Sequence, residues 1–164
     1  MSTFTKFDAR LLTSYDADAS ALLGDDYWRV EKPFRFYLDS KFSDRWVDIP
    51  LGFLTDGASI PRVLWNIIPP WGIYGQAAVV HDRLCETLEI TEVIDGIQRQ
   101  TKITRKECDA VLVEAMLVLN VPKAKLWTIQ TGVDLYRITT NPKEPVVSRV
   151  KLSLELGYTS QLVA

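Results

Sequence analysis

The stretch Phe53–Arg62 reads FLTDGASIPR, and it marks the point where the pattern of the chain changes. A strand-like apolar segment ends here, Asp56-Gly57 provides a turn, and Ser59 is suited to cap a helix. Pro61 is tolerated in the first turn of such a helix, where its missing N–H costs nothing. The stretch therefore predicts an α+β fold, with strands before it and helices after it.

The residues before this stretch have the composition of strands. Three segments rich in aromatic and β-branched residues are separated by polar loops: Tyr27–Val30, Phe34–Leu38 and Arg45–Ile49. Short connections favour antiparallel neighbours, so we predict a small N-terminal antiparallel β-sheet. Residues 1–25 are mostly polar, and TSYDADAS at positions 13–20 is typical of a loop. Whether this N-terminal segment is flexible is left open.

The residues after it favour three to four packed α-helices. The predicted helices are a short one from Ser59 to Pro69-Pro70, then Gln76–Leu88, then one from a capping box at Thr104–Glu107 to Leu119, and finally Ala124–Ile138. Asp95-Gly96 is a turn dipeptide that predicts a small hairpin. In the tail, 141–164, apolar and polar residues alternate from Val150 to Leu156, which predicts a C-terminal extended strand. We find no linker and expect one domain over 1–164.

Composition narrows the classes of function. The 164 residues include 19 Lys and Arg, 21 Asp and Glu, one His and two Cys, with a net charge of −2. This balance gives no strong signal for nucleic acid or for an anionic membrane surface. No apolar run reaches the roughly 18 residues of a membrane span, and the N-terminus lacks the pattern of a signal peptide. A single His excludes zinc sites that need two or three His from one chain.

Two groups of residues could carry chemistry, and each has a plainer explanation. Asp56 and Ser59 could form a polar site at the sheet edge, or they could simply stabilise a capping turn. His81-Asp82 places an imidazole on the apolar stripe of its helix, where it is either a catalyst or a buried residue with satisfied partners. Cys85, one turn further on, could pair with His81, although activated Cys-His pairs usually come from different elements.

Asp109 provides a partner for the imidazole. It follows Cys108 beside the apolar stripe of the third helix, so it could meet His81 if the second and third helices pack antiparallel. A carboxylate that orients an imidazole is what a general base needs. The same contact would also satisfy a merely structural His.

Several blocks together resemble a family of bacteriophage and prophage proteins, the domain of unknown function 1353. They are TDGASIPR at positions 55–62, Trp65, Pro70-x-Gly72-x-Tyr74, AAVVHDxL at positions 77–84, and Arg105-x-x-x-Asp109 through Met116. The resemblance spans residues 27–138 and implies a phage origin, in the host cytoplasm or the assembled virion, without a settled activity. One position departs from the family pattern, because Cys85 stands where an aromatic residue usually follows the HDxL block.

A fainter similarity is to secreted phospholipases A2. These enzymes place a His-Asp pair on one helix and a supporting Asp on an antiparallel one, as His81-Asp82 and Cys108-Asp109 would. Their calcium loop and dense disulfides have no counterpart here.

The first function that we predict is a small hydrolase acting on an ester, amide or sugar bond of a host envelope. His81 would be the general base and Asp109 would orient it, while Asp82 and Asp56 would hold Ca²⁺ or Mg²⁺ or polarise the substrate. From the polar turn and the family-like blocks, the candidate binding residues are Asp56, Ser59, Arg62 and Tyr74.

The alternative is a non-catalytic virion component of the tail or tail tip. It would dock onto other phage proteins through the C-terminal strand. The polar motifs would then be buried hydrogen-bond networks that fix the fold. A third class, an early protein that blocks a host factor, is permitted by the acidic balance, but no motif requires it.

Overall fold

The computed structural model describes residues 6–57, 69, 71–146 and 148–163. In chain order the strands are β1 (Thr13–Tyr15), β2 (Trp28–Val30), β3 (Phe34–Tyr37), β4 (Arg45–Ile49), β5 (Leu54–Thr55), β6 (Glu89–Ile94) and β7 (Ile97–Lys102). The helices are α1 (Ala17–Leu23), α2 (Gly75–Thr87), α3 (Arg105–Val118), α4 (Lys123–Thr140) and α5 (Arg149–Val163). The mixture of antiparallel strands and packed helices is as predicted.

The strands form two antiparallel sheets rather than one N-terminal sheet. One has the order β1-β2-β5, and the other has the order β3-β4-β6-β7. The second sheet is completed by the β6–β7 hairpin, which turns at Asp95-Gly96 and lies between α2 and α3 in the chain. It docks on β4, where Trp46 is opposite Thr91. The sequence predicted this hairpin, but not that it would extend the N-terminal strands.

The segment TSYDADAS contains β1 and the start of α1, so its interpretation as a loop was wrong. Thr13–Tyr15 pairs with β2, and Asp16 then caps α1 by accepting a hydrogen bond from the amide of Ala19 at 2.8 Å. The second carboxylate oxygen of Asp16 accepts from Nε of Arg29 at 2.7 Å. A short polar stretch thus gains its order from a long-range ion pair, which local sequence patterns do not reveal.

Helices α2 and α3 position the residues of greatest interest. Both begin and end within one residue of the predicted bounds, and the capping box of α3 is present between Thr104 and Glu107. Their apolar stripes bury Leu84, Leu112 and other residues in one hydrophobic cluster that also takes in both sheets. The predicted short helix that follows Ser59 lies outside the described residues.

The predicted C-terminal strand was wrong, because Arg149–Val163 is helix α5. The residues of α5 that face the protein include Lys151, Leu154, Glu155 and Tyr158, which have helical spacing. Two of these are charged, and the alternating apolar residues, Leu152 and Leu156 among them, remain exposed. The period-two pattern misled because the buried face of this helix is largely polar.

Helices α4 and α5 carry several strongly exposed apolar side chains. Trp127 is 68% exposed, Ile138 is 70% exposed and Leu156 is 61% exposed. Where the structure describes the chain, no helix has both the length and the apolarity to cross a membrane.

Candidate functional site

His81 and Asp109 lie side by side on α2 and α3. Nε2 of His81 is 2.8 Å from Oδ1 of Asp109, and the exposed fractions of the two side chains are 12% and 7%. Because an ionised carboxylate only accepts hydrogen bonds, Nε2 carries a proton. Nδ1 is therefore the ring nitrogen that can take up or release a proton. The structure thus makes the contact that the sequence left open.

The carboxylate of Asp109 is held from its other side by α4. Its Oδ2 accepts from Nε of Arg137 at 2.8 Å, and Arg137 also donates to Asp134 at 2.5 Å. This forms a continuous chain from His81 through Asp109 and Arg137 to Asp134. Arg137 was missed by the sequence analysis, although the Asp134–Arg137 spacing of three residues on a predicted helix was a usable signal.

The environment of His81 favours its charged form. Burial of the ring lowers the pKa of His81, but the hydrogen bond to Asp109, with help from Cys85, outweighs this effect and raises the pKa to about 9. His81 is therefore protonated at neutral pH and becomes a base as the pH approaches 9.

Cys85 and Cys108 are buried free thiols beside the imidazole. Sγ of Cys85 is 3.6 Å from Nε2 and 3.7 Å from Nδ1 of His81. The hydrogen bond between Cys85 and Cys108, together with burial, raises the pKa of Cys85 far above its ordinary range. Cys85 is thus a neutral thiol, so the geometry gives no support to an activated Cys-His pair.

Asp82, the neighbour of His81, belongs to a separate group of carboxyls. Its Oδ2 accepts from the buried hydroxyl of Thr55 at 2.7 Å, and that hydroxyl in turn accepts from the amide of Gly57 at 3.1 Å. Burial and the charge of Asp56 raise the pKa of Asp82 well above its ordinary value. The turn at Asp56-Gly57 is thus tied to α2 through Thr55.

A buried lysine from α5 completes this group. Lys151, which is 7% exposed, forms an ion pair with Glu86 and lies 4.3 Å above the ring of Phe53. Glu155 is 3.8 Å from the same ammonium group. The sequence predicted a strand here, and that prediction did not single out Lys151. Tyr27 lines the same cavity as Lys151. Burial and the charges of Asp56 and Asp82 raise the pKa of Tyr27 to about 12.

Both groups line one cavity of about 380 Å³. Its polar lining includes His81, Asp109, Asp56, Asp82, Glu86, Lys151 and Arg105. Its apolar lining includes Ala78, Leu112, Met116, Ile129 and Val133. Tyr136, which is 54% exposed, stands at the rim. A cavity of this volume, with apolar walls and a few polar groups, is typical of a small-molecule site.

The other candidate binding residues divide into two groups. Tyr74 is buried in the cavity wall, and its hydroxyl donates to the carbonyl of Pro69. Burial raises the pKa of its hydroxyl, which makes it a positioned neutral group. Ser59 and Arg62 lie outside the described residues.

The predicted Ca²⁺ or Mg²⁺ ligands, Asp56 and Asp82, line the same cavity. Within the described ranges, no three His, Cys, Asp or Glu side chains converge as a metal ion would require. Ca²⁺ takes about six to eight oxygen ligands in proteins. Asp56 and Asp82 therefore do not fit a cation well by themselves, and their role as metal ligands stays a prediction.

Comparison with known proteins gives a family but no activity. The family model described as "Protein of unknown function (DUF1353)" matches residues 28–133. A protein of Sinorhizobium fredii (strain NBRC 101917 / NGR234), described as "Uncharacterized protein y4jT", is 43% identical over 60 residues. The matched part is 33% of this chain and 18% of that protein, so the chain spans less than a fifth of this relative. No solved structure matches the chain.

Proposed function

We propose that this chain, which belongs to the DUF1353 family of proteins of unknown function, is a small hydrolase with His81 as its general base. The observation that carries the proposal is the 2.8 Å contact between His81 and Asp109 in the wall of a 380 Å³ cavity. A buried acid–base pair in a cleft is a good indicator of a functional site.

In the proposed reaction each residue of the pair has a defined task. Nδ1 of neutral His81 would take a proton from a water molecule, and the hydroxide oxygen would attack the carbonyl carbon of an ester or amide. The protonated Nδ1 would then return the proton to the leaving group as the carbon–heteroatom bond breaks. Asp109 would stabilise the imidazolium, and Arg137 would hold Asp109 in position. No step requires a metal ion.

A rate profile against pH tests this role. With a p-nitrophenyl ester as substrate, we expect the rate to rise about tenfold per pH unit and to level off near pH 9, because only neutral His81 acts as a base. His81→Gln should abolish the reaction above the chemical background, and Asp44→Asn, at an exposed position, should leave it nearly unchanged. A rate that does not depend on pH, or an active His81→Gln protein, would overturn the proposal.

The faint similarity to phospholipases A2 supports the same reaction class. The similarity implied an Asp on a second helix that supports the imidazole, and Asp109 of α3 makes that contact with His81 of α2. We therefore place acyl bonds ahead of the sugar bonds that the sequence also left open.

A second candidate, a virion component of a phage, is favoured by the apolar surface of α4 and α5. Trp127, Ile138 and Leu156 are each more than 60% exposed, which suits a face that packs on another protein. Mass spectrometry of purified particles tests this candidate. A stoichiometric amount of the chain would support it, and absence from the particles would remove it.

A further inference from the structure

We propose that Arg105 makes this cavity a binding site for a carboxylate carried on an apolar body. Such a ligand is the acid that hydrolysis of an apolar acyl ester would release. The inference names the substrate class of the proposed function and rests on it for the reaction, but binding can be tested without any turnover.

Two nitrogens of the Arg105 guanidinium have no hydrogen-bond acceptor within the described part of the protein. Its Nε and Nη1 are buried, and no described residue accepts a hydrogen bond from either atom. Arginine stays charged at any ordinary pH, so it cannot relieve this situation by losing a proton. A buried donor without a partner is unfavourable and rare in native proteins. An anionic ligand would supply the missing acceptors.

The nearby carboxylates are already committed to other groups. Asp109 accepts from His81 and Arg137, and Glu86 is paired with Lys151. Glu107, two residues along the chain from Arg105, is used in the capping box of Thr104. Carboxylates are thus present near Arg105, but these three bind other groups. The donors of Arg105 therefore stay without an acceptor among the residues described.

The remainder of the cavity selects for an apolar body. Leu112, Met116 and Ile129 are less than 10% exposed and line the same space as Arg105. Val133 and Ala78 extend this wall. A small inorganic anion would leave this surface uncovered, whereas an acyl chain would remove it from water.

The charge of the cavity favours a monoanion over a dianion. The guanidinium of Arg105, with two nitrogens that lack a described acceptor, shares the lining with the carboxyls of Asp56, Asp82, Glu86 and Asp109. A second negative charge on the ligand would gain no further described unpaired cation and would face these carboxyls. A carboxylate thus fits better than a phosphate monoester.

Thermal melts with three probes test the inference. Decanoate below its micellar concentration should raise the melting temperature of the wild type, since it binds the folded state. Decanol, which has the chain without the charge, and inorganic phosphate, which has charge without the chain, should have much smaller effects. Equal stabilisation by decanol would overturn the role of Arg105. Equal stabilisation by phosphate would overturn the requirement for an apolar body on the ligand. No response to decanoate would overturn the inference as a whole.

Arg105→Gln provides the residue-level test, with Arg99→Gln on the exposed face of β7 as the matched control. We expect Arg105→Gln to weaken decanoate binding by roughly tenfold or more, because a charge-assisted contact is lost. The free Arg105→Gln protein should melt no lower than the wild type, since two buried donors without a described acceptor have been removed. If this variant does not fold, Arg105→Lys should bind decanoate with an intermediate affinity. Unchanged binding in both variants would overturn the inference.

The test of the carboxylate site can be separated from the test of the proposed hydrolase. Decanoate binding without any ester hydrolysis would leave a ligand-binding protein and remove the enzyme. Ester hydrolysis without decanoate binding would keep the enzyme and remove the carboxylate site.

Discussion

His81 and Asp109 are 28 residues apart in the chain and are joined by a 2.8 Å hydrogen bond. The bond exists because α2 packs on α3, with the β6–β7 hairpin between them in the chain docked on the sheet. The dyad therefore depends on tertiary packing, and any change that separates the two helices should alter the protonation of His81 as well as stability.

The first prediction concerns stability against pH. The pKa of His81 is about 9 in the folded protein and about 6.5 in the unfolded chain. A raised folded pKa means that the folded state holds a proton that the unfolded state has lost between these values. The contribution of His81 is thus complete below pH 6.5 and is lost as the pH rises through about 9. Its size is on the order of 3 kcal/mol.

Urea denaturation of the wild type and of His81→Gln between pH 6 and pH 10 measures this contribution. The difference in the free energy of unfolding between the two proteins should fall across that window. Because the chain has one His, its imidazole signals in NMR give a titration without assignment. A midpoint near 6.5 in the folded protein would contradict the prediction.

The second prediction is that Asp109→Asn destabilises the protein by about 3 kcal/mol, because a buried ion pair loses one partner. The amide can accept a hydrogen bond from His81 or from Arg137, but it carries no charge to balance either. The pKa of His81 should fall towards or below its ordinary value. Thermal melts and the His titration measure both effects. Asp134→Asn is the control, since this carboxylate is more exposed and its loss should cost less than about 1 kcal/mol.

The part of the fold that follows from local pattern was predictable. Helices α2 and α3 have a strong three-and-four spacing, and the hairpin has its Asp95-Gly96 turn, so the sequence defined each of them. The division into two sheets depends on which strands find each other across the chain, and periodicity carries no information on that.

The site was predictable only where its residues stand in recognisable patterns. The His81-Asp82 block and Asp109 fall beside clear apolar stripes, so sequence reasoning could name them. Lys151 could not be found, because a buried lysine on the inner face of a helix breaks the rule that assigns apolar residues to the core. Arg105 was visible only as part of a family-like motif, since its unpaired nitrogens exist only in three dimensions.

The third prediction concerns the thiol beside the imidazole. Hydrogen bonding to Cys108 and burial keep Cys85 protonated, and the thiolate is the reactive form. We expect neither thiol to react with iodoacetamide in the folded protein at pH 8, whereas both should react in urea. Mass spectrometry counts the modified residues. Fast alkylation of Cys85 in the folded state would show that the Cys-His pair is activated after all.

The fourth prediction is that Asp82→Asn stabilises the protein at neutral pH. The pKa of Asp82 is raised in the folded state, so ionisation favours the unfolded chain once the pH exceeds about 4. Asparagine can still accept the hydrogen bond from Thr55 but has no charge to oppose Asp56. Asp44→Asn is the matched control, because this carboxylate is exposed. A lower melting temperature for Asp82→Asn than for Asp44→Asn at pH 7 would contradict the argument.

The last prediction concerns how α5 is attached. The described contacts that hold α5 include the Lys151–Glu86 ion pair, the hydrogen bond of Tyr158 to Glu31, and the hydrogen bond from the amide of Leu54 to Glu155. Lys151→Met leaves Glu86 in a half-buried position with its cation removed, so we expect a loss of about 3 kcal/mol in the free energy of unfolding. Lys123→Met, at an exposed position on α4, should change it by less than about 0.5 kcal/mol.

The double variant Lys151→Met, Glu86→Met separates packing from charge. If the cost of Lys151→Met is the unpaired carboxylate, then removing that carboxylate as well should restore most of the lost stability, since replacing both members of a buried pair with apolar groups is often close to neutral. If the double variant is instead no more stable than Lys151→Met, the unpaired carboxylate is not the source of the loss, and the lysine acts mainly through its contact with Phe53, whose ring lies 4.3 Å from the ammonium group. In that case the polar inner face of α5 would be held by a cation–π contact rather than by the ion pair.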